Sequence, residues 1–242
     1  MKQRLDQKLA AQGLVASRSQ AESYIKLGQV TVNGRKATKP GQMVLPTDVL
    51  KVQAAHQYVS RAALKLASVA ERLRIDFANK TMLDVGSSTG GFTQFALEQG
   101  AQKVLAVEVG TNQLHPSLRQ DARIELHEKT DIRDFKTQDR IDLVVADVSF
   151  VSLRELLPSI KKLCNKQTDL MLMVKPQFEA AADSLKHKGV IKNDKIRREI
   201  LKNFEMWAEQ HGLYVVDKAD SDVAGGKGNL ERFYHLKIAS IS

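Results

Sequence analysis

Thr81-Met82-Leu83-Asp84-Val85-Gly86-Ser87-Ser88-Thr89-Gly90-Gly91-Phe92 decides how this chain is read. Apolar residues run into an acid, a tight loop of small residues follows, and Phe92-Thr93-Gln94-Phe95-Ala96-Leu97 continues as a helix. Strand, turn and helix in that order open a nucleotide-type α/β fold. The dinucleotide fingerprint G-x-G-x-x-G would need glycine where Ser88 stands, so no pyrophosphate site is implied. What remains is D-x-G-x-x-x-G, whose glycines let the backbone approach a ligand closely. An adenosine with a charged tail in place of a pyrophosphate suits such a loop. That points to S-adenosylmethionine, with Asp84, Gly86, Ser87, Ser88, Thr89, Gly90, Gly91 and Phe92 as candidate contacts.

Downstream, apolar runs end repeatedly on charged residues. Lys103–Val107 leads to Glu108, which lies where α/β nucleotide folds place a carboxylate on ribose hydroxyls, with Val109 beside it. Ile124–His127 is followed by Asp131, a candidate at the adenine. Ile141–Ala146 ends on Asp147 and Leu170–Val174 on Lys175, after which Pro176 breaks the strand. Residues 177–190 read as a longer loop, Asp194–Gln210 as a helix, and Tyr214–Val216 and Glu231–Ile238 as the last two strands. Seven strands interleaved with helices predict a Rossmann-like doubly wound sheet whose last strand returns antiparallel.

The chain has 242 residues, room for one such domain and a small one. Its net charge of +9 favours a polyanionic partner, and the distribution sharpens this. Residues 1–60 hold nine Lys or Arg against three Asp or Glu, and the rest hold 28 against 25. Aromatics at 5% argue against a single-strand stacking surface. Cys164 is the only cysteine, and its apolar neighbours make it a core residue, so no disulfide or zinc finger is expected. The six histidines lack metal-ligand spacing, and no metal is expected. No signal-like segment and no membrane-length apolar run is evident, so a cytoplasmic protein is expected.

In the basic first quarter, Leu5, Leu9, Ala10 and Leu14 predict a helix over residues 3–12, stopped by Gly13. Ser17 is placed to cap a second helix carrying Ala21, Tyr24, Ile25 and Leu27 on its apolar side. Val30-Thr31-Val32 reads as a strand, Asn33-Gly34 as a hairpin turn, and a strand pair closes near Val49–Val52. This small α+β unit takes residues 1–55, a linker residues 56–60, and the larger domain residues 61–242. A helix starts near Ser60, and periodicity alone makes Lys65 on it an ordinary surface lysine.

Arg4-Leu5-Asp6, Ser17-Arg18, Ala21, Ile25, Gly28 and Val30-x-Val32-Asn33-Gly34 resemble the RNA-binding module first described in a small-subunit ribosomal protein. The resemblance implies phosphate contacts at Arg4, Arg18, Lys26, Arg35 and Lys36, for which cations on one face suffice. Arg61, at the start of the next domain, joins them as an RNA-binding candidate.

Lys65, Asp147, Lys175 and Glu231 form a coherent chemical set on a fold that holds S-adenosylmethionine. A ribose 2′-hydroxyl is a weak acid, and methyl transfer from a sulfonium is an in-line displacement that needs no metal. The enzyme must orient the hydroxyl and help remove its proton, work suited to a lysine amine with carboxylates to orient it. The set resembles the Lys-Asp-Lys-Glu tetrad of the FtsJ-like ribose 2′-O-methyltransferases. With the N-terminal module, the whole chain resembles the TlyA family. The matching stretches are Tyr58-Val59-Ser60-Arg61, Lys65-Leu66, Leu83 through Thr93, Ala146-Asp147-Val148-Ser149-Phe150, Val174 through Glu179, and Gly228-Asn229-x-Glu231. The resemblance implies methylation of a cytidine ribose in ribosomal RNA, with ribosomal subunits as partners. Relatives commonly carry Asp at Glu108 and Asn at Asp131, which keeps the first carboxylate and adds a charge at the second position. Members often bear the name haemolysin. A secreted pore-former would require a leader or a strongly amphipathic membrane segment, neither of which is evident, and an inactive RNA-binding methyltransferase fold is opposed by the intact tetrad.

Overall fold

The computed structural model describes residues 2–15, 17–26, 28–53, 58–182, 190–191, 193–223, 225 and 228–239. The N-terminal unit comprises β1 (Gln3–Arg4), α1 (Leu5–Ala11), α2 (Arg18–Lys26), β2 (Val30–Val32), β3 (Arg35–Lys36), β4 (Met43–Val44) and β5 (Leu50–Val52). The first helix starts two residues later than its periodicity predicts, because Gln3 and Arg4 pair antiparallel with Val44 and Met43. Ser17 does cap α2, its Oγ accepting from the Gln20 amide at 3.2 Å. Leu27 lies outside the described residues. Asn33 and Gly34 both take positive φ, 51° and 78°, as a two-residue turn between β2 and β3 demands. Leu5, Leu9, Tyr24, Ile25, Val30 and Val44 fill the small core.

The second unit runs α3 (Arg61–Ala70), β6 (Thr81–Val85), α4 (Gly91–Glu98), β7 (Lys103–Val107), β8 (Ile124–His127), β9 (Leu143–Ala146), α5 (Leu153–Lys162), β10 (Asp169–Val174), α6 (Pro176–Ala182), α7 (Asp194–Gln210), β11 (Leu213–Asp220) and β12 (Arg232–Ile238). Its sheet has the order β11-β12-β10-β9-β6-β7-β8, and only β12 runs against the others. One face packs on α3 and α4 through Leu66, Val69, Phe92 and Phe95, and the other on α5 and α7 through Leu156, Ile160, Leu201 and Phe204. Burial on both faces explains why the inner strands read as unbroken apolar runs rather than as alternation. Chain order reverses at β6, with β7 and β8 to one side and β9 and β10 to the other. Ligands in open α/β sheets gather at that switch point, beyond the strand carboxyl ends.

The loop expected over residues 177–190 is helical in its first part. Pro176 occupies the first position of α6, where its missing N–H costs nothing, so it starts a helix as well as ending a strand. Residues 183–189 lie outside the described set. Of the expected linker, 56–57 are likewise outside it, whereas Tyr58 is held: its carbonyl accepts from Gln20 Nε2 at 2.7 Å and its amide donates to Tyr24 Oη at 3.4 Å. Cys164 is half-buried against the core, and burial pushes its thiol up to about 12.

Candidate active site

The loop after β6 is shaped by left-handed backbone at Gly86 (φ 76°), Ser88 (φ 49°) and Gly90 (φ 89°). Two adjoining cavities, of about 510 and 210 Å³, open on it and share Gly86, Ser88 and Asp147. Val107, Val109, Ile132 and Val148 make the larger one mainly apolar, with Glu108 and Asp131 at its wall. Glu108 is fixed by backbone, its two carboxylate oxygens accepting from the amides of Ser88 (2.9 Å) and Gly110 (2.7 Å). Asp131 is clamped by Arg133 through Nε at 2.9 Å and Nη2 at 2.6 Å, which holds its carboxyl below the usual range.

The smaller cavity is lined by Ser60, Arg61, Lys65, Asp84, Ser87 and Thr89, among others. Asp84 is buried, and one of its oxygens accepts from Thr93 Oγ1 at 2.6 Å. Burial pushes this carboxyl up to about 7, against the Thr93 hydrogen bond and with the help of the nearby Asp147 and Glu108 charges. Its other oxygen, Ser87 Oγ and Ser60 Oγ are buried without a hydrogen-bond partner among the described residues. Buried polar atoms are normally paired, so three of them on one cavity wall match a polar, charged ligand end there. Gly90 and Gly91, expected as contacts, line neither cavity: Gly90 packs against Leu114 and Leu118 and Gly91 against Ser60, while Phe92 lines the smaller cavity and packs on Phe233. At Gly91 a Cβ would run into Ser60 Oγ and stand 3.0 Å from the Ala63 amide nitrogen, so α3 and α4 touch at the loop only because no side chain intervenes.

Lys65, expected at the surface from periodicity, is buried and pairs with Glu231 at 2.5 Å. Lys175 is also buried. It pairs with Asp147 at 2.5 Å and donates to Ser149 Oγ at 2.7 Å. The four residues come from α3, the ends of β9 and β10, and the start of β12. Asp147 lines both cavities, Lys65 the smaller and Lys175 the larger, so each ion pair puts its lysine on the wall of a cavity that Asp147 shares, while Glu231, paired to Lys65, lines neither. Sequence reasoning passed over Ser149 and Thr93 as site residues. Thr93 was findable, since a strand-turn-helix unit sets the first helical turn beside the acid that ends the strand. Glu179 was also missed: it is buried and accepts from Ser152 Oγ (2.6 Å) and the Leu153 amide (2.8 Å), tying α6 to the start of α5 beside the cavity.

On the N-terminal unit, Arg4 and Arg18 are brought together by the fully buried Asp6, at 2.8 and 2.9 Å. Lys26, Arg35 and Lys36 are exposed, and Arg61 stands apart from them at the smaller cavity. Among the described residues no cluster of His, Cys, Asp or Glu could hold a metal ion, and no helix is long and apolar enough to cross a membrane.

A parallel sheet with one reversed strand, cavities at its switch point and two Lys–carboxylate pairs define the methyltransferase class of α/β proteins. Comparison with known proteins carries this further. Residues 58–238 match the FtsJ-like methyltransferase model and residues 3–50 the S4 domain. The 23S rRNA (cytidine-2′-O)-methyltransferase TlyA of Campylobacter jejuni is 43% identical over 79% of this chain and 76% of its own. The 16S/23S rRNA (cytidine-2′-O)-methyltransferase TlyA of Mycobacterium tuberculosis is 37% identical over 97% of this chain and 89% of its own. A solved structure from Streptococcus thermophilus, described as a candidate hemolysin, aligns with a TM-score of 0.73 and 34% identity over 99% of this chain and 89% of that one. This chain belongs to the TlyA family of FtsJ-like methyltransferases.

Proposed function

We propose that this chain transfers a methyl group from S-adenosylmethionine to the ribose 2′-hydroxyl of a cytidine in ribosomal RNA, in the cytoplasm. The observation that carries the reading is that two paired lysines, Lys175 with Asp147 and Lys65 with Glu231, line adjoining cavities that share Asp147. The names and activities of the TlyA relatives support the substrate. Residues 1–55 act as the RNA-binding module and residues 61–242 as the catalytic domain.

Bound S-adenosylmethionine supplies a sulfonium methyl group, an electrophile needing no further activation. Asp84, Ser87 and Ser60 would take its amino-acid end, since their unpartnered polar atoms line the smaller cavity. Gly86, with Ser88 and Thr89, leaves the backbone open to it. Glu108 would meet the ribose, and Val109 and Asp131 the base, in the larger cavity. Lys175 Nζ is the group placed to take the proton from the 2′-hydroxyl, with Asp147 and Ser149 to hold it in position. Lys65, held by Glu231, supplies a second charge across the junction that favours the developing alkoxide. Arg4, Arg18, Lys26, Arg35, Lys36 and Arg61 contact phosphates and position the target without reading sequence.

The test is incubation of each purified ribosomal subunit with methyl-labelled cofactor, followed by mass mapping of the modified nucleotides. A 2′-O-methylcytidine that is lost with Lys175→Ala is the expected result. Absence of any ribose methylation on either subunit would overturn the reading.

A further inference from the structure

The catalytic domain does not bury all of its own apolar side chains. Leu64, the residue before Lys65 on α3, and Val223, between β11 and β12, are 1% and 2% exposed. Both pack into the core of the N-terminal module with Leu9, Tyr24, Ile25 and Val30 rather than against the large sheet. Their neighbours on α3 turn elsewhere: Ala63 and Leu66 face α4, and Lys65 reaches Glu231.

Leu64 adjoins Lys65 in the chain, and Val223 is tied to Glu231 through Ser221. Ser221 Oγ bonds the Val223 backbone in both directions, at 2.9 and 3.1 Å, and the Ser221 amide donates to the Glu231 carbonyl at 3.0 Å. The same segment is stitched to α3 by Arg72, which donates to the Asp220 carbonyl at 3.1 Å and pairs with Asp222 at 3.3 Å. Thus α3 and the 220–223 segment form one clasp. Its outer side chains, Leu64 and Val223, plug into the RNA-binding module, and on its inner side Lys65 pairs with Glu231, whose carbonyl accepts from the Ser221 amide. By contrast, Asp147 and Lys175 directly follow β9 and β10, two strands in the sheet interior.

We infer that Leu64 and Val223 are positioning residues: the N-terminal module, by closing over them, sets the Lys65–Glu231 pair against the sheet-borne Lys175–Asp147 pair. This rests on the methyl-transfer reading above. It makes the grip of RNA on the module and the alignment of the catalytic groups parts of one event. Packed interfaces settle into discrete arrangements rather than deforming smoothly, and small misplacements of catalytic groups are costly in rate.

The test compares Val223→Ala with Val44→Ala in the full chain. Both delete the same two methyl groups from the same core, but Val44 belongs to β4 of the N-terminal unit and Val223 to the clasp itself. Methyl incorporation into ribosomal RNA is measured at saturating concentrations of both substrates, with the KM for S-adenosylmethionine and the melting temperature alongside. Val223→Ala is expected to lower kcat roughly tenfold, within the range that misplacement far from the chemistry can produce, with that KM unchanged. Val44→Ala is expected to lower the melting temperature comparably and to keep wild-type kcat. Leu64→Val, a milder trim, is read the same way if Val223→Ala does not fold. Wild-type kcat in the clasp variants, or an equal loss in Val44→Ala, overturns the coupling alone. A wild-type chain that transfers no methyl overturns the functional reading with it.

Discussion

Asp84 gives the sharpest handle on the proposed cofactor end of the site. Its carboxyl is pushed up from 3.8 to about 7, chiefly by burial. Between roughly pH 4 and pH 7 the folded, ligand-free chain therefore keeps a proton that the unfolded chain has released. This group's contribution to stability falls as pH rises through that window and stays low above it. A cationic ligand end beside the unpartnered Asp84 oxygen favours the charged form, so binding expels the proton. With a midpoint near 7, about one Asp84 in eleven is ionised at pH 6 and about ten in eleven at pH 8. If only the ionised form binds well, affinity rises about tenfold across those two units, worth ~1.4 kcal/mol. Isothermal titration of S-adenosylmethionine at pH 6, 7 and 8, in buffers of differing ionisation enthalpy, reads both the affinity and the released proton. Asp84→Asn keeps an acceptor for Thr93 and removes the titration, which also isolates the ligand's own amine. The variant should bind more weakly at pH 8, with the wild-type rise across pH 7 absent. Identical pH profiles for wild type and Asp84→Asn would refute the argument.

Three further outcomes follow from the geometry. Glu231→Gln leaves the Lys65 ammonium buried without its counter-charge. It should cost about 3 kcal/mol or more of unfolding free energy by denaturant titration and lower kcat about 100-fold. Gly91→Ala forces α3 from α4 at Ser60 and Ala63, and should lower unfolding free energy by roughly 1–3 kcal/mol and weaken cofactor binding in the same titration. For Asp6, burial works upward, but hydrogen bonds from Arg4 and Arg18 outweigh it and hold the carboxyl at about 2. The stability it contributes is therefore present above its unfolded value and lost as pH falls from about 4 towards 2. Asp6→Ala should abolish that acid limb in pH-dependent melting, and by unpinning two cations it should flatten the salt dependence of RNA binding.

Much of the fold could be read in advance because its signals are local. The Asp84–Phe92 loop, the strand-ending acids and the helix Asp194–Gln210 each declare themselves locally. Failures came where a distant partner decided the outcome. Gln3 and Arg4 are extended because β4 lies some forty residues on. Lys65 has the spacing of a surface lysine and is buried because Glu231 arrives from the far end of the chain. Pro176 ends β10 as a strand breaker and, at the first turn of α6, also favours a helix, a second meaning that depends on the residues after it.

The tetrad's composition bears on why it exists at all. Lys65, Glu231 and Lys175 are each less than a tenth exposed, and taking charges out of water costs several kcal/mol per ion, which the pairing returns only in part. Apolar residues of similar size at these positions would serve the fold as well or better. Stability therefore gives no account of two such ion pairs beside adjoining cavities. Their separate supports point the same way. The Lys175–Asp147 pair directly follows two interior strands of the sheet, and the Lys65–Glu231 pair stands on a helix and a connecting segment that lean on the neighbouring module. A purely structural network would gain nothing from that division. A reaction that must wait for an RNA to be gripped gains the means to couple the two.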